Sequence, residues 1–386
     1  MLEKSPYHAL GIDVGNAKVK FCALDQKTKT LRFSSRNLPY TDKLRYRRHE
    51  DFEEGIPREL SEFMGDENWP AESVAVAVTS SGYAYPSYGE GVSHLFLLLK
   101  RCLPDFRVFA LDGAAEAAPV DEILKNDPAI LCPIEFSNGM GAVQLAMRLE
   151  ALADSQDYLV LDTGGSTTAI TPVIGGRVDP AAFNNPQRHL DHRLQNGKLT
   201  WIGVQTTPLE YLAHEVAVGG RRYPVIPRGV TFDNVAAVLD LLPPKLARQM
   251  TLFRIIPDRW LALRAVADAV NLDFMMANEE ELETLASNFH RLAIERLAEG
   301  IRAALKTVPA ACKKAIAFGI GAKGLTYPAL LLAGVEKSNI ILAESFLGED
   351  CASYASCYGA FHKGLELICG KRLKADISDI GEVGSI

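Results

Sequence analysis

The sequence predicts an α/β protein made of two similar domains, and three observations support this fold class. The chain has 386 residues, which is too long for one ordinary hydrophobic core and suits two α/β domains. The stretch from Tyr158 to Val173, YLVLDTGGSTTAITPV, predicts two β-strands joined by a polar, glycine-containing tip. The N-terminal stretch from Ala9 to Asp25, ALGIDVGNAKVKFCALD, repeats this pattern.

The tip of the hairpin between Tyr158 and Val173 carries residues that suit phosphate. Gly164 and Gly165 have no Cβ, so the chain can turn with positive φ and a ligand can approach the backbone closely. Three hydroxyl residues follow and add donors next to the backbone N–H groups: Ser166, Thr167 and Thr168. A concave set of such donors binds phosphate oxygens. An ordinary hairpin with a polar turn is the alternative interpretation.

An aspartate lies near the end of the first strand in both predicted hairpins. Asp162 is placed to hold a magnesium ion through water, because Mg²⁺ keeps part of its hydration shell and needs few carboxylates. Aligning the two stretches pairs Asp13 with Asp162, Gly15 with Gly164, Asn16 with Gly165, and Lys18 with Thr167. Two such hairpins predict two similar halves that face one phosphoryl ligand.

Composition excludes several function classes. Hydrophobic residues make up 48% of the chain, and the formal net charge of −7 argues against a nucleic-acid surface, which needs clustered Lys and Arg. The longest apolar runs are too short to span a bilayer, and the first residues do not resemble a signal peptide, so we expect a cytoplasmic protein without a membrane or nucleic-acid partner. The seven cysteines include no CxxC pair, which predicts reduced, partly buried thiols.

The segment between the hairpins predicts alternating strands and helices. Strands are expected at 73–79 and 107–111, and helices at about 90–103 and 134–153. The second strand ends in Asp112 and Gly113, and the carboxyl edge of a parallel sheet is where α/β proteins bind ligands. A plain turn is the alternative for these two residues.

The second half predicts a mostly helical segment, from 230 to 309, and then a glycine-rich turn. Residues 315–318 predict a strand that enters Gly319-Ile320-Gly321-Ala322-Lys323-Gly324. This sequence matches the dinucleotide pattern GxGxxG. No acidic residue ends a strand about 20 positions later, which disfavours that interpretation. A strand, a turn and an alanine-rich helix are expected in the last block, before a loose tail.

Together, the two hairpins and the later strand with its glycine-rich turn resemble the actin-like ATPase superfamily, which includes sugar and acetate kinases, heat-shock chaperones and hydantoinase/oxoprolinase A proteins. The resemblance implies two actin-like ATPase (ribonuclease H-like) α/β domains facing a central cleft, with a helical insertion in the second. The implied boundaries are 1–155 for the first domain, 156–370 for the second, about 230–309 for the insertion, 315–335 for the glycine-rich segment and 371–386 for the tail.

The order of sequence blocks resembles one family more closely. VFALDG, PIEFSNGMGAVQLAMRL, VLDTGGSTTAI and HRLQNGKLTWIGVQTTP are similar to the tetrahydromethanopterin-linked one-carbon-transfer pathway proteins, whose characterised members act in methanofuran biosynthesis as aminomethylfuran-phenoxy synthases. The resemblance implies a transferase that condenses an aminomethylfuran-methyl diphosphate with the phenol of γ-glutamyltyramine and releases diphosphate. Mg²⁺ is then the expected cofactor, and ATP is not required.

Site roles follow from these resemblances. Asp13 and Asp162 are expected to anchor magnesium, Lys18 to stabilise charge on the leaving oxygen, and Asp112 to be the general base by its position. The expected phosphate contacts are Gly15, Asn16, Lys18, Gly164, Gly165, Ser166, Thr167, Gly319 and Gly321. Two alternatives stay open: an ATP-dependent kinase or hydantoinase/oxoprolinase-like enzyme, and a non-enzymatic actin-like nucleotide-binding protein. The sequence does not indicate an oligomeric state.

Overall fold

In a computed structural model, the chain forms two compact units. Unit 1 comprises Met1–Asp157, Thr171–His192 and Glu344–Ile386, and unit 2 comprises Tyr158–Ile170 and Arg193–Ala343. The structure describes residues 8–15, 18–25, 27–28, 30–37, 49–65, 69–80, 85, 87–125, 137–152, 155–178, 193, 195–242, 259–309, 312, 314–372 and 384–385.

The strands in the described residues are short and mostly buried. They are β1 Ala9–Val14, β2 Lys18–Leu24, β3 Leu31–Asn37, β4 Val74–Thr79, β5 Arg107–Leu111, β6 Ala117–Pro119, β7 Tyr158–Thr163, β8 Thr168–Ile174, β9 Arg177–Val178, β10 Leu199–Thr200, β11 Glu215–Val218, β12 Arg221–Pro224, β13 Lys314–Phe318, β14 Ile340–Leu342 and β15 Gly384–Ser385.

The helices vary from one turn to more than seven turns. They are α1 His49–Met64, α2 Tyr88–Cys102, α3 Val120–Ile123, α4 Asn138–Ala146, α5 Leu209–Leu212, α6 Phe232–Val238, α7 Arg259–Asp268, α8 Glu279–Leu305, α9 Tyr327–Leu332, α10 Glu344–Ser353 and α11 Ala355–Cys369. A π-helical turn over Ala322–Thr326 precedes α9.

The sheet of unit 1 has the strand order β15-β3-β2-β1-β4-β5-β6. Strands β1, β2 and β3 form an antiparallel meander, whereas β4 and β5 continue from β1 in parallel. Strand β1 is buried along its whole length and β4 likewise, as expected for central strands covered on both faces.

The second sheet, which belongs to unit 2 except for β9 and residues 171–174 of β8, repeats this arrangement. Its strand order is β10-β8-β7-β13-β14, with β8 next to β7 in a hairpin and with β13 and β14 parallel to β7. When the short strands β6, β9 and β15 are left out, the two sheets share the order third, second, first, fourth, fifth, which is the order of a ribonuclease H-like domain. The predicted fold class, two actin-like α/β units with helices inserted in the second, is confirmed.

The inserted helices pack on unit 2 through one face. Helix α8 buries apolar residues at three- and four-residue spacing, among them Leu282, Leu285, Phe289 and Leu297. Its N-terminus has a capping box between Asn278 and Glu281, in which the Asn278 side chain accepts from the Glu281 N–H at 2.9 Å. The acidic residues of the first turn, Glu279, Glu280 and Glu281, also stabilise this helix N-terminus.

The last helix, α11, packs against β1 and α4 within unit 1, whereas the predicted second domain extends to residue 370. Three glycines permit the close contact. A Cβ built on Gly11 would overlap the carbonyl oxygen of Cys357, and one on Gly359 would overlap the carbonyl oxygen of Gly141. Because the contact is between backbones, it leaves no hydrophobic pattern from which sequence analysis could assign the helix to unit 1.

Two absences hold for the described part of the chain. None of its helices combines the length and the hydropathy that a membrane span needs. Its six cysteines form no disulfide, in agreement with the predicted reduced thiols. The seventh, Cys132, lies outside the described residues.

Candidate functional site

The hairpin of unit 2 has a four-residue tip between β7 and β8. The Gly164 N–H donates to the Thr167 carbonyl oxygen at 2.9 Å, which closes the turn. Residues 164–167 are half-buried, in contrast to the buried Thr163 and Thr168 on either side. The tip is therefore accessible, and the strands that carry it are fixed in the core.

The carbonyl groups of this tip are tied to the segment after β10. Gly164 O accepts from the Val204 N–H at 3.1 Å, and Gly165 O accepts from the Gln205 and Thr206 N–H groups at 2.7 and 3.0 Å. The contact is close, since a Cβ built on Gly203 would lie 2.6 Å from the Gly165 carbonyl oxygen. This second chain segment fixes the conformation of the tip.

Most N–H groups of the tip, unlike its carbonyl groups, are not used in hydrogen bonds within the protein. Within the part of the chain that the structure describes, the N–H groups of Gly165, Ser166 and Thr167 donate no hydrogen bond, and neither do the Ser166 and Thr167 hydroxyls. Three consecutive backbone donors beside the bonded carbonyls of Gly164, Gly165 and Thr167 resemble the backbone concavities that bind anions. This arrangement suits a phosphoryl group.

The structure does not place Thr168 among the accessible hydroxyls of the tip, where the sequence predicts it. It is buried, and its Oγ1 donates to the Ile202 carbonyl at 2.7 Å. Its Oγ1 also lies 3.0 Å from Thr163 Oγ1, which hydrogen bonds in turn to Thr326 Oγ1. This chain of buried hydroxyls anchors the base of the hairpin and is not available to a ligand.

The glycine-rich loop meets the end of β7 inside unit 2. Strand β13 pairs with β7 in parallel register, with Phe318 opposite Asp162. The next residue, Gly319, has φ +83°, and a Cβ built on it would lie 2.6 Å from Asp162 Oδ1. The Gly321 N–H donates to the Thr163 carbonyl at 3.0 Å. The structure therefore brings Gly319 to the carboxylate that the sequence proposes for magnesium, where only glycine fits, and Gly321 to the neighbouring Thr163.

The hairpin of unit 1 is closed by an equivalent hydrogen bond. The Gly15 N–H donates to the Lys18 carbonyl at 2.9 Å, the counterpart of the Gly164 to Thr167 bond. Asn16, a predicted phosphate contact, lies outside the described residues. Burial and, to a lesser extent, the charge of Lys20 lower the pKa of Lys18 to about 8. The lysine at this tip therefore changes charge near neutral pH.

Asp13 in unit 1 is buried and held by its own chain. Lys20 lies opposite it in the β1–β2 ladder, with Nζ 3.4 Å from Asp13 Oδ2. The hydroxyl of Ser356, on α11, donates to the same oxygen at 2.5 Å. The other oxygen, Oδ1, is buried and accepts no hydrogen bond in the described part of the chain. A buried carboxylate oxygen without a donor fits a cation or a cation-bound water.

Asp112, the predicted general base, caps a turn between β5 and β6. Its Oδ1 accepts from the N–H groups of Ala114 and Glu116 at 2.8 and 2.9 Å, and Ala115 has φ +63°. Burial, the largest influence, raises the pKa of Asp112. In the described residues its hydrogen bonds are confined to this turn, so the plain-turn alternative accounts for its position.

Three residues that support the hairpins are not among those predicted from the sequence. Lys20 could have been found, because a hairpin with a four-residue tip places it opposite Asp13. Ser356 and Thr326 could not, since each reaches its hairpin from a distant part of the chain. Groups of three or more carboxylate, histidine or cysteine side chains able to hold a metal are absent from the described residues. A magnesium ion held mostly by water and phosphate needs fewer.

Comparisons with known proteins show similarity in fold. No protein-family model matches the chain, and no curated relative was found. Similar solved structures include a ROK family glucokinase from Streptomyces griseus with glucose and AMPPNP (10% identity, TM-score 0.46, covering 91% of this chain and 97% of that one). Others are an inorganic polyphosphate/ATP-glucomannokinase from Arthrobacter sp. strain KM (13%, 0.44, 93% and 98%) and component A of the (R)-2-hydroxyglutaryl-CoA dehydratase from Acidaminococcus fermentans (15%, 0.41, 92% and 98%). We draw no functional conclusion from them.

Proposed function

We propose that the chain is an enzyme that binds the diphosphate group of a small molecule together with Mg²⁺. The observation that carries the proposal is the tip of the second hairpin, where the N–H groups of Gly165, Ser166 and Thr167 have no acceptor among the described residues. A ligand with several anionic oxygens would satisfy these donors, because charge-assisted hydrogen bonds to phosphate are strong.

Each hairpin contributes residues to this proposal. In unit 2, Asp162 would hold Mg²⁺ through water, and Gly319 and Gly321 would let the diphosphate approach that carboxylate. In unit 1, Asp13 Oδ1 would accept a cation-bound water, and Lys18 would pair with a phosphate oxygen. The proposed backbone and side-chain contacts to phosphate also include Gly15, Asn16, Gly164, Gly165, Ser166 and Thr167. When bound, Mg²⁺ would neutralise the negative charge of the diphosphate.

The proposed reaction is transfer of a furanylmethyl group to a phenol. The phenol oxygen forms a bond to the methylene carbon, and the bond from that carbon to the diphosphate oxygen breaks with its electron pair on diphosphate. The Lys18 ammonium would stabilise that developing charge. Asp112 stays the proposed acceptor of the phenol proton.

A second candidate function is an ATP-dependent enzyme of the kinase or hydantoinase/oxoprolinase type. The glycine loop favours it, because the loop follows a parallel strand, approaches Asp162 and leads into a helical segment over 322–332. Such a strand, glycine turn and helix accommodates the phosphates of a nucleotide. In this case the same residues would bind the β- and γ-phosphates of ATP.

Calorimetric titration of the full chain with diphosphate and, separately, ATP, each with Mg²⁺ or with a chelator, tests the proposal. The transferase predicts magnesium-dependent heat for diphosphate and none for ATP, and the second candidate predicts heat for ATP. If neither ligand binds with magnesium present, the proposal fails.

A matched pair of variants controls for folding. Gly319 and Gly334 both have positive φ, but a side chain at Gly334 meets nothing within 4 Å. Gly319→Ala and Gly334→Ala should therefore share the strain of a side chain at positive φ, and Gly319→Ala alone should also crowd Asp162 and the Thr163 carbonyl, so urea unfolding of both variants accompanies the titration. Only Gly319→Ala should weaken magnesium-dependent binding of diphosphate, by about tenfold or more. Equal affinities in the two variants would remove the glycine loop from the site.

A further inference from the structure

An exposed apolar patch lies on the inserted helices of unit 2. It consists of Trp260, Leu261, Phe274, Met275 and Met276, and we call it the methionine patch. Met275 is 85% exposed, Met276 83% and Trp260 52%. The ring of Trp260 contacts that of Phe274 edge-on, with centroids 5.1 Å apart. Apolar side chains grouped at this exposure on a folded domain mark interaction surfaces.

The backbone holds the methionines in place. Asp273 Oδ1 accepts from the Met275 N–H at 2.9 Å, and the Asp273 carbonyl accepts from the Met276 and Ala277 N–H groups at 3.0 and 3.1 Å. The capping box of α8 begins at the following residue, Asn278. Both methionines therefore project from a fixed turn between α7 and α8, and their exposure is built into the fold.

The charges around the patch are mostly acidic. Residues 259–283 contain six acidic and two basic side chains. One basic residue, Arg259, already bridges two of the carboxylates, with Nη2 3.2 Å from Glu279 Oε1 and in contact with Glu283. Asp273 and Glu280 are also exposed at this end of α8. The rim thus carries a net negative charge next to a flexible apolar surface.

We propose that the methionine patch binds a basic amphipathic helix of a partner protein. Methionine side chains are unbranched and polarizable, so they adapt to the leucines and aromatics of an amphipathic helix. Lysines and arginines along the edges of that helix would pair with the acidic rim, as in other helix-in-groove complexes. The same rim repels anionic membranes and nucleic acids. This binding is separate from the phosphate chemistry of the hairpins and does not depend on it.

A titration with a model helix tests the proposal. The probe is a peptide of about 18 residues, or five helical turns, with leucine on one face and lysine on the other. The tryptophan fluorescence of the full chain, to which Trp69, Trp201 and Trp260 contribute, should shift to shorter wavelength on binding, and a Trp260→Phe variant should lose that shift. A peptide with glutamate in place of lysine should bind about tenfold more weakly or not at all. Equal binding of the two peptides would overturn the assigned partner chemistry.

Two double variants separate the patch from general attraction between charges. Met275→Glu with Met276→Glu adds two negative charges at the patch, and Leu331→Glu with Leu332→Glu adds two at another exposed apolar pair of unit 2. General attraction to the cationic peptide would strengthen binding in both. We expect instead about a tenfold loss for the methionine variant and less than about a twofold change for the leucine variant. Similar behaviour of the two variants would contradict the proposal.

Two further measurements complete the test. Met275→Ser with Met276→Ser removes the apolar surface without adding charge, and it should also weaken peptide binding. Without peptide, the unaltered chain and the serine variant should have the same sedimentation coefficient. A dimer that the serine variant converts to a monomer would instead identify a second copy of this chain as the occupant, and would overturn the proposed partner.

Discussion

The two hairpins are closed by equivalent hydrogen bonds but differ in the residues that contact their aspartates. Each tip is closed by the same hydrogen bond, from Gly15 to Lys18 in unit 1 and from Gly164 to Thr167 in unit 2. Asp13 is buried, paired with Lys20 and bonded by Ser356. Asp162 is half-buried and lies against the glycine loop that follows β13.

This difference indicates a division of roles. The charge of Asp13 is part of the packing of unit 1, because three elements of that unit meet at its carboxylate. Asp162 lies at an accessible strand end, where the neighbouring residue must be glycine. We therefore expect changes at Asp13 to alter stability most and changes at Asp162 to alter ligand binding most.

The largest stability effect is expected for Asp13→Asn. The change removes the negative charge but leaves Lys20 partly buried beside a neutral amide, which should lower the free energy of unfolding by about 2 to 3 kcal/mol. Asp162→Asn, the matched change in the other hairpin, should alter it by less than about 0.5 kcal/mol. Urea denaturation of both variants measures this contrast. Equal losses would mean that the two aspartates have the same structural role.

Because of Lys18, the contribution of the first hairpin to diphosphate affinity should depend on pH, unlike that of the second. Its pKa of about 8 means that the ammonium is present below that pH and lost above it, whereas Thr167 at the equivalent position does not titrate. Affinity for diphosphate should therefore fall as pH rises through 8, by about tenfold. The Lys18→Met variant should bind diphosphate weakly at every pH, and the Lys18→Arg variant should keep its affinity for diphosphate above pH 8. The same decline in the arginine variant would exclude Lys18 as its cause.

Single hydroxyl deletions should have smaller effects. Ser356→Ala removes the donor to Asp13, and Thr326→Val removes the partner of Thr163 in the buried hydroxyl chain of unit 2. Each should lower the free energy of unfolding by about 1 kcal/mol, because a buried partner loses its hydrogen bond. Thermal unfolding measures both. A neutral Ser356→Ala would show that Lys20 alone supports Asp13.

Local patterns predicted the hairpins well. Alternating apolar residues, an aspartate and a glycine-containing tip recur at Asp13 and Asp162, and the structure places both at the ends of central strands. The glycine spacing at 319–321 also predicted a turn after a strand. These features depend on residues close together in the sequence, where strand periodicity and turn chemistry are sufficient.

Contacts between distant segments were beyond sequence analysis. Ser356 reaches Asp13 because Gly11 lets helix α11 approach the sheet of unit 1, and Gly141 and Gly359 let it approach α4. Thr168 looked like a tip hydroxyl, but it is the first residue of β8 and is buried. Nothing in the local sequence distinguishes a serine that bonds a remote carboxylate from one that faces solvent.

The most direct test of the central claim is magnesium-dependent binding of diphosphate by Asp162→Asn, with the unaltered chain and Asp13→Asn measured in parallel. Calorimetry should show magnesium-dependent heat for the unaltered chain. For Asp162→Asn we predict a loss of about 100-fold in affinity, with unchanged unfolding by urea. Magnesium-dependent affinity that is unchanged in Asp162→Asn would contradict the assignment of the second hairpin as the phosphate and metal site.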